Sequence, residues 1–239
     1  MIDSRLGDRL TSFAQFLQQW FRYQWPQLLV AVLGLFLPLL IFGLLAVQIW
    51  QLEGGLSWDI AVLSAIHSTS QPILDRFAST LTNFGTVWGV LPVSIVISLG
   101  LLYAKRWRSL TYFFITVFGE IVINRAAKAW FHRVRPSLWE YPPLTDFSFP
   151  SGHAMSSMVF VAALVILTWK TRWRIWVLLA GSGFAVAIGW TRLYLGVHYP
   201  SDIVAGWMVS IAWAVSMSLV IQPQLGRSVQ RDEAPILEN

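Results

Sequence analysis

Long apolar runs, each stopped by a short cluster of Lys and Arg, recur along this chain and leave it few ways to fold. A helix needs about 20 apolar residues to cross a bilayer. The runs at 28–50, 87–104, 110–127, 154–168, 175–190 and 203–221 approach that length. Only 12% of the residues are charged and 56% are hydrophobic, where a soluble domain carries about 25% charged residues. The expectation is an all-α, polytopic membrane protein with six transmembrane helices. Between the first two runs, residues 51–86 are too polar to cross and predict one or two short helices at the interface on the outer side. Residues 1–27 place Leu6, Leu10, Phe13, Leu17, Trp20 and Phe21 at spacings of three and four with Arg5, Arg9 and Arg22 between them, the pattern of a helix lying on a membrane surface. The domain plan is therefore an interfacial segment 1–27, a six-helix domain 28–221 and a polar tail 222–239.

Cation placement orients this plan. If the runs cross alternately, Arg5, Arg9, Arg22, Lys105, Arg106, Arg108, Lys170, Arg172, Arg174, Arg227 and Arg231 share one face, eleven of the seventeen basic residues. The positive-inside rule makes that face cytoplasmic and puts both termini there. A basic balance can signal nucleic acid, but these cations sit at the ends of apolar runs, where membrane lipid headgroups are the better partner. The absence of Cys removes disulfides, thiolate metal sites and a Cys nucleophile from consideration.

The remaining six cations, Arg76, Arg125, Lys128, Arg133, Arg135 and Arg192, break the rule at one outer region. Lys128 ends the third run, Phe149-Pro150-Ser151-Gly152-His153 opens the fourth, Arg192 ends the fifth, and His198 and Asp202 open the sixth. Alternating crossings gather all of them at one surface. Taken alone, Ser151 is readily read as a helix N-cap beside an incidental His, and single cations as side chains reaching for headgroups. Together, Lys128, Arg135, Arg192, the Ser151 hydroxyl and the Gly152 N–H at a helix start suit a phosphoryl group. Pro200 can start a helix, and Asp202 in its first turn can accept the Nδ1–H of His198 and leave Nε2 unprotonated. His67 and His132 have no such partner in sequence. Glu120, inside the third run, can pair with Arg125 or with another helix, and small residues such as Gly181 and Ala185 can pack helices within one chain.

Lys128, six residues, Arg135-Pro136; then Pro150-Ser151-Gly152-His153; then Thr191-Arg192, five residues, His198, three residues, Asp202: this order resembles the three-part signature of the type 2 phosphatidic acid phosphatase superfamily. That family includes lipid phosphate phosphatases and is related to vanadium haloperoxidases and glucose-6-phosphatase. Three short motifs in order are far more specific than one. Thr191 departs from the Ser usual there, with the hydroxyl kept.

The resemblance implies a lipid phosphatase in which His198 attacks phosphorus, Asp202 orients it, and His153 protonates the leaving group and later activates water. Lys128, Arg135, Ser151, Gly152 and Arg192 would hold the phosphate, with Thr191 a weaker contact. It implies no metal and no cofactor. Phosphatidic acid, phosphatidylglycerol phosphate and isoprenoid diphosphates all fit such a site, on the extracytoplasmic side of the cell membrane. Transfer of the phosphoryl group to an acceptor lipid shares the same first half-reaction. A non-catalytic lipid-phosphate binding or transport protein would use the same basic pocket without needing His198. Oligomeric state is left open by the sequence.

Overall fold

The computed structural model describes residues 2–51, 56–137 and 146–223, and side chains at Phe13 and from residue 15 onward within them. All regular structure among these residues is helical: α1 (Ile2–Ala31), a π-helical turn (Val32–Phe36), α2 (Leu37–Gln51), α3 (Ser57–His67), α4 (Pro72–Phe84), α5 (Val90–Tyr103), α6 (Trp107–Phe131), α7 (Gly152–Thr168), α8 (Arg174–Tyr194) and α9 (Pro200–Ile221). The tail beyond residue 223, with Arg227 and Arg231, lies outside the described residues, as do Tyr141-Pro142-Pro143, Glu53-Gly54-Gly55 and the side chains of the first Arg and Leu residues.

The chain runs from α1 through α2 without leaving helical geometry, interrupted only where the Leu37 N–H bonds the Val32 carbonyl, five residues back. The cause is Pro38, which has no N–H to give the carbonyl four residues earlier and whose ring would strike it, so the helix widens by one residue there. Four helical stretches are long and apolar enough to cross a membrane: Gln15–Gln51, Trp107–Phe131, Arg174–Tyr194 and Pro200–Ile221. Val90–Tyr103 and Gly152–Thr168 are apolar but shorter. Val96, Val122 and Val220 are 67%, 69% and 74% exposed, an outward apolar surface suited to lipid and not to water. This is an integral membrane protein.

α7 lies at the centre, packed against α6, α8 and α9. Its burial follows from small and branched residues on several faces, Ala154, Ser157, Val159, Val161 and Ala163 among them. Leu101, Tyr112, Phe113, Val117, Ala163 and Leu167 form one apolar cluster, and Ala46, Ile49, Phe149 and Ala205 another. Gly181 faces Val161, where a Cβ would come within 2.7 Å of Cγ1, so this small residue packs α8 onto α7 within the chain. The mixed segment after α2 forms two short helices. α3 packs on α8 and α9, and α4 on α8, so both brace the helix ends that carry Arg192 and Asp202.

Candidate active site

Three chain reversals deliver the site. α6 ends at His132, in left-handed conformation (φ 48°), whose N–H caps the Lys128 carbonyl. α7 starts at Gly152 after a cis Phe149–Pro150 bond. Between α8 and α9, Gly196 takes φ 67°, a conformation open to glycine at little cost. The turn lets Arg192 and His198, six residues apart, face one space.

That space is a cavity of about 420 Å³ whose wall includes Lys128, Arg135, Gly152, His153, Arg192 and His198. His198 is 1% exposed. Its Nδ1 lies 3.4 Å from Asp202 Oδ2, and its Nε2 lies 3.0 Å from Arg135 Nη1. A guanidinium only donates, so Nε2 is the acceptor and the Nδ1–H points to the carboxylate. Burial, then repulsion from Arg135, Arg192 and Lys128, lowers the His198 pKa well below its usual value. The ring is neutral at pH 7 with its lone pair on the cavity side.

Two predicted contacts are placed differently. Thr191 is fully buried, does not line the cavity, and donates its hydroxyl to Ile188 O at 2.6 Å on its own helix. Ser151 caps α7 behind the wall, its N–H on the Asp202 carbonyl at 3.2 Å and its buried Oγ without a hydrogen-bond partner. Of the two pairings open to Glu120, with Arg125 or with another helix, neither forms an ion pair among the described residues. Five residues along a helix is a turn of about 140°, so the two side chains leave different faces.

Three groups at or beside the site make contacts that the sequence does not reveal, and of them only Arg133 stands out there, as one of the outer cations. Asp146 accepts Arg135 Nη2 at 2.6 Å with Oδ1 and Lys128 Nζ with Oδ2. Burial would raise its pKa, but hydrogen bonds from Lys128 and Arg135 and their charges prevail and lower it to about 2. Arg133 turns away from the cavity into a buried network: Nη1 donates to Asp202 Oδ1 (2.5 Å) and Ser201 Oγ (2.7 Å), and Nη2 to Asp59 Oδ2 (2.8 Å). Asp59, on α3, also accepts the Ser201 N–H at 2.8 Å and the Ser201 hydroxyl at 2.6 Å. The network clamps the first turn of α9, where Asp202 must stand to orient His198. Its signal in sequence is an Arg two residues before Arg135 and an Asp in an otherwise mostly apolar short helix.

Among the described residues, no three His, Asp or Glu side chains converge as a metal site would. A converging ring of side-chain cations with one neutral, oriented imidazole can instead bind a phosphoryl group and attack it.

The PAP2 superfamily model matches residues 108–225. Phosphatidylglycerophosphatase B of Bacillus subtilis is 30% identical over 162 residues, 65% of this chain and 79% of that protein. An undecaprenyl-diphosphatase of Sulfolobus acidocaldarius is 29% identical over 194 residues, 77% and 89% of the two chains. The crystal structure of a transmembrane PAP2 type phosphatidylglycerolphosphate phosphatase from Bacillus subtilis superposes with a TM-score of 0.68 at 27% identity, over 80% of this chain and 97% of that one.

Proposed function

The chain belongs to the PAP2 superfamily and is a membrane lipid phosphatase, and from that premise we propose that it removes a terminal phosphate from a lipid phosphate or diphosphate through a phosphohistidine, without a metal ion. The observation that carries this reading is the clamping of His198, Nδ1 toward Asp202 and Nε2 beside Arg135, on the wall that also carries His153, Lys128 and Arg192.

As phosphate arrives, the Arg135 N–H that holds the Nε2 lone pair moves onto it and His153 takes up a proton. Nε2 then bonds phosphorus as the ester or anhydride P–O bond breaks, and His153 gives that proton to the departing oxygen. His153 then takes a proton from water, whose oxygen attacks phosphorus and returns the lone pair to Nε2. Lys128, Arg135, Arg192 and the Gly152 N–H hold the charge of the five-coordinate state, a task metal ions often perform in phosphoryl transfer. Asp146 occupies two of those cations and must give them up when phosphate arrives. The Ser151 hydroxyl, buried behind the wall without a partner, reaches the phosphate in this reading only if the wall at the start of α7 shifts as phosphate binds.

The reading includes six crossings, with α5 and α7 as the short ones, both termini cytoplasmic and the site facing the extracytoplasmic side. Residues 1–27 form its surface segment, 28–221 its catalytic domain and 222–239 its polar tail. Phosphatidic acid, phosphatidylglycerol phosphate and isoprenoid diphosphates are the substrate candidates. The test is phosphate release in detergent, with a chelator, from phosphatidic acid and undecaprenyl diphosphate by wild type and His198→Ala. Release by wild type and a loss of about a thousandfold in the variant, about 4 kcal/mol of barrier, is expected. Equal activity of the two would end the phosphohistidine reading, and a requirement for added metal would end the metal-free one.

A further inference from the structure

Beyond the phosphate site, the same cavity continues between α5 and α6 and meets two polar side chains that nothing in the phosphoryl chemistry uses. Glu120 on α6 is 4% exposed and lines the cavity. Among the described residues its carboxylate has neither an ion pair nor a hydrogen-bond partner. On α5, which packs against α6, Ser94 is fully buried, lines the same cavity, and leaves its hydroxyl without a hydrogen bond. Ser94 Oγ is buried without a partner and the Glu120 carboxylate opens onto the cavity, so a polar group that enters this space can supply what neither finds in the protein.

Their depth identifies what that partner carries. Glu120, Asn124 and Lys128 follow at steps of four on one face of α6, and all three line the cavity. Asn124 is level with the start of α7, since a Cβ on Gly152 would stand 3.3 Å from its Oδ1. Its amide nitrogen is committed to the Pro150 carbonyl and to Met155 Sδ, which leaves Oδ1 as an acceptor. Glu120 lies one turn further in, about 6 Å of rise. A phosphate beside His153 and His198 therefore has acceptors waiting a few bonds into its leaving alcohol. A hydrocarbon passing there would seal Glu120 and Ser94 off unpaired. A hydroxyl would satisfy them.

Resting on the phosphatase reading above, we infer that Glu120 and Ser94 form a subsite for a hydroxyl on the substrate's alcohol portion, so that this enzyme prefers lipid phosphates whose phosphate sits on a polyol headgroup. A site built to bond a hydroxyl discriminates strongly against the analogue that lacks it, and this is the property to measure. The probes are phosphatidylglycerol phosphate and its analogue in which propane-1,3-diol replaces the headgroup glycerol, identical but for one hydroxyl. Phosphate release by wild type, Glu120→Gln, Glu120→Leu and Ser94→Ala is compared on both, and binding of both to His198→Ala and to His198→Ala/Glu120→Leu is followed by tryptophan fluorescence.

The subsite predicts at least a tenfold preference of wild type for the hydroxylated lipid in kcat/KM, and of His198→Ala in Kd. Glu120→Leu should abolish that preference, its loss falling at least tenfold more heavily on the hydroxylated lipid than on the deoxy analogue, with Ser94→Ala and Glu120→Gln in between. Equal handling of the two lipids by wild type, or equal losses on both in Glu120→Leu, would overturn the subsite. Binding preference in His198→Ala with no phosphate release by wild type would overturn the phosphatase reading and leave the subsite standing.

Discussion

Asp146 and Arg135 face each other across the mouth of the cavity, carboxylate Oδ1 to guanidinium Nη2 at 2.6 Å, while Arg135 turns its other nitrogen to His198 Nε2 at 3.0 Å. One side chain thus holds an internal anion with one hand and the proposed nucleophile with the other. Any phosphate that reaches Arg135 and Lys128 competes with Asp146 for them.

Removing that competitor should tighten substrate binding. Asp146→Asn is expected to lower KM for a lipid phosphate about threefold to tenfold with kcat no lower than wild type, and to strengthen inhibition by inorganic phosphate by a similar factor. Steady-state phosphate release in detergent measures both. With its pKa down at about 2, Asp146 is ionised at every practical pH, so the KM difference should hold from pH 5 to 9. As a depressed carboxylate, it contributes stability that is fully present above the ordinary Asp range and is lost as pH falls toward 2. Asp146 is 54% exposed, so that contribution is small. An unchanged KM would mean that phosphate does not displace it.

His198 sets the acid limb of activity. Because burial and the surrounding cations lower its pKa, the neutral, nucleophilic form persists well below pH 6.5. kcat/KM, which reports the free enzyme, should show no imidazole inflection between pH 8 and pH 6 once the substrate's own second ionisation, near pH 6, is allowed for. A fall with a midpoint near 6.5 that moves with Arg135→Gln would instead put an ordinary histidine at work.

Arg133 is the keystone of the buried network. Its side chain is 4% exposed, and those of its partners Asp59 and Asp202 are fully buried. Arg133→Ala strands two carboxylates, and breaking a buried pair in this way costs about 3–5 kcal/mol. A marked drop in thermal unfolding temperature in detergent is expected, with activity reduced even well below that temperature because Asp202 is no longer held for His198. Asp59→Asn keeps an acceptor for the Ser201 N–H but puts an amide N–H where the Ser201 hydroxyl and Arg133 now donate. Because it strands no carboxylate, it should lose less on both counts. Full activity of folded Arg133→Ala would show that Asp202 orients His198 unaided.

The α7–α8 contact leaves no room at residue 181. Gly181→Val would drive a Cβ to within 2.7 Å of Val161 Cγ1, and a branched partner has few rotamers to escape into. Overpacking of this kind costs about 1–3 kcal/mol. Thermal unfolding should register the loss, and the double variant Gly181→Val/Val161→Ala should recover most of it.

The positions of α5 to α9 were legible in the chain because an apolar run stopped by Lys or Arg has one physical solution in a bilayer, a helix ending at the headgroups. The gathering of Lys128, Arg135, Gly152, His153, Arg192 and His198 was legible for the same reason, since helix ends alternate between two surfaces. Hydropathy is blind, however, to rotation about each helix axis and to which polar groups then meet. Only packing turned the Thr191 hydroxyl back onto Ile188, left Glu120 unpaired over a cavity, and set Arg133 between Asp59 and Asp202. Ser201 and Asp59 are 142 residues apart in sequence, and no local pattern encodes a contact at that range. Read alone, the chain specifies a helical membrane protein with cations and two histidines gathered at one rim. Only the tertiary structure separates the cations that line the cavity from Arg133, which holds α9 in place, because buried charges are tolerated only where packing supplies their partners.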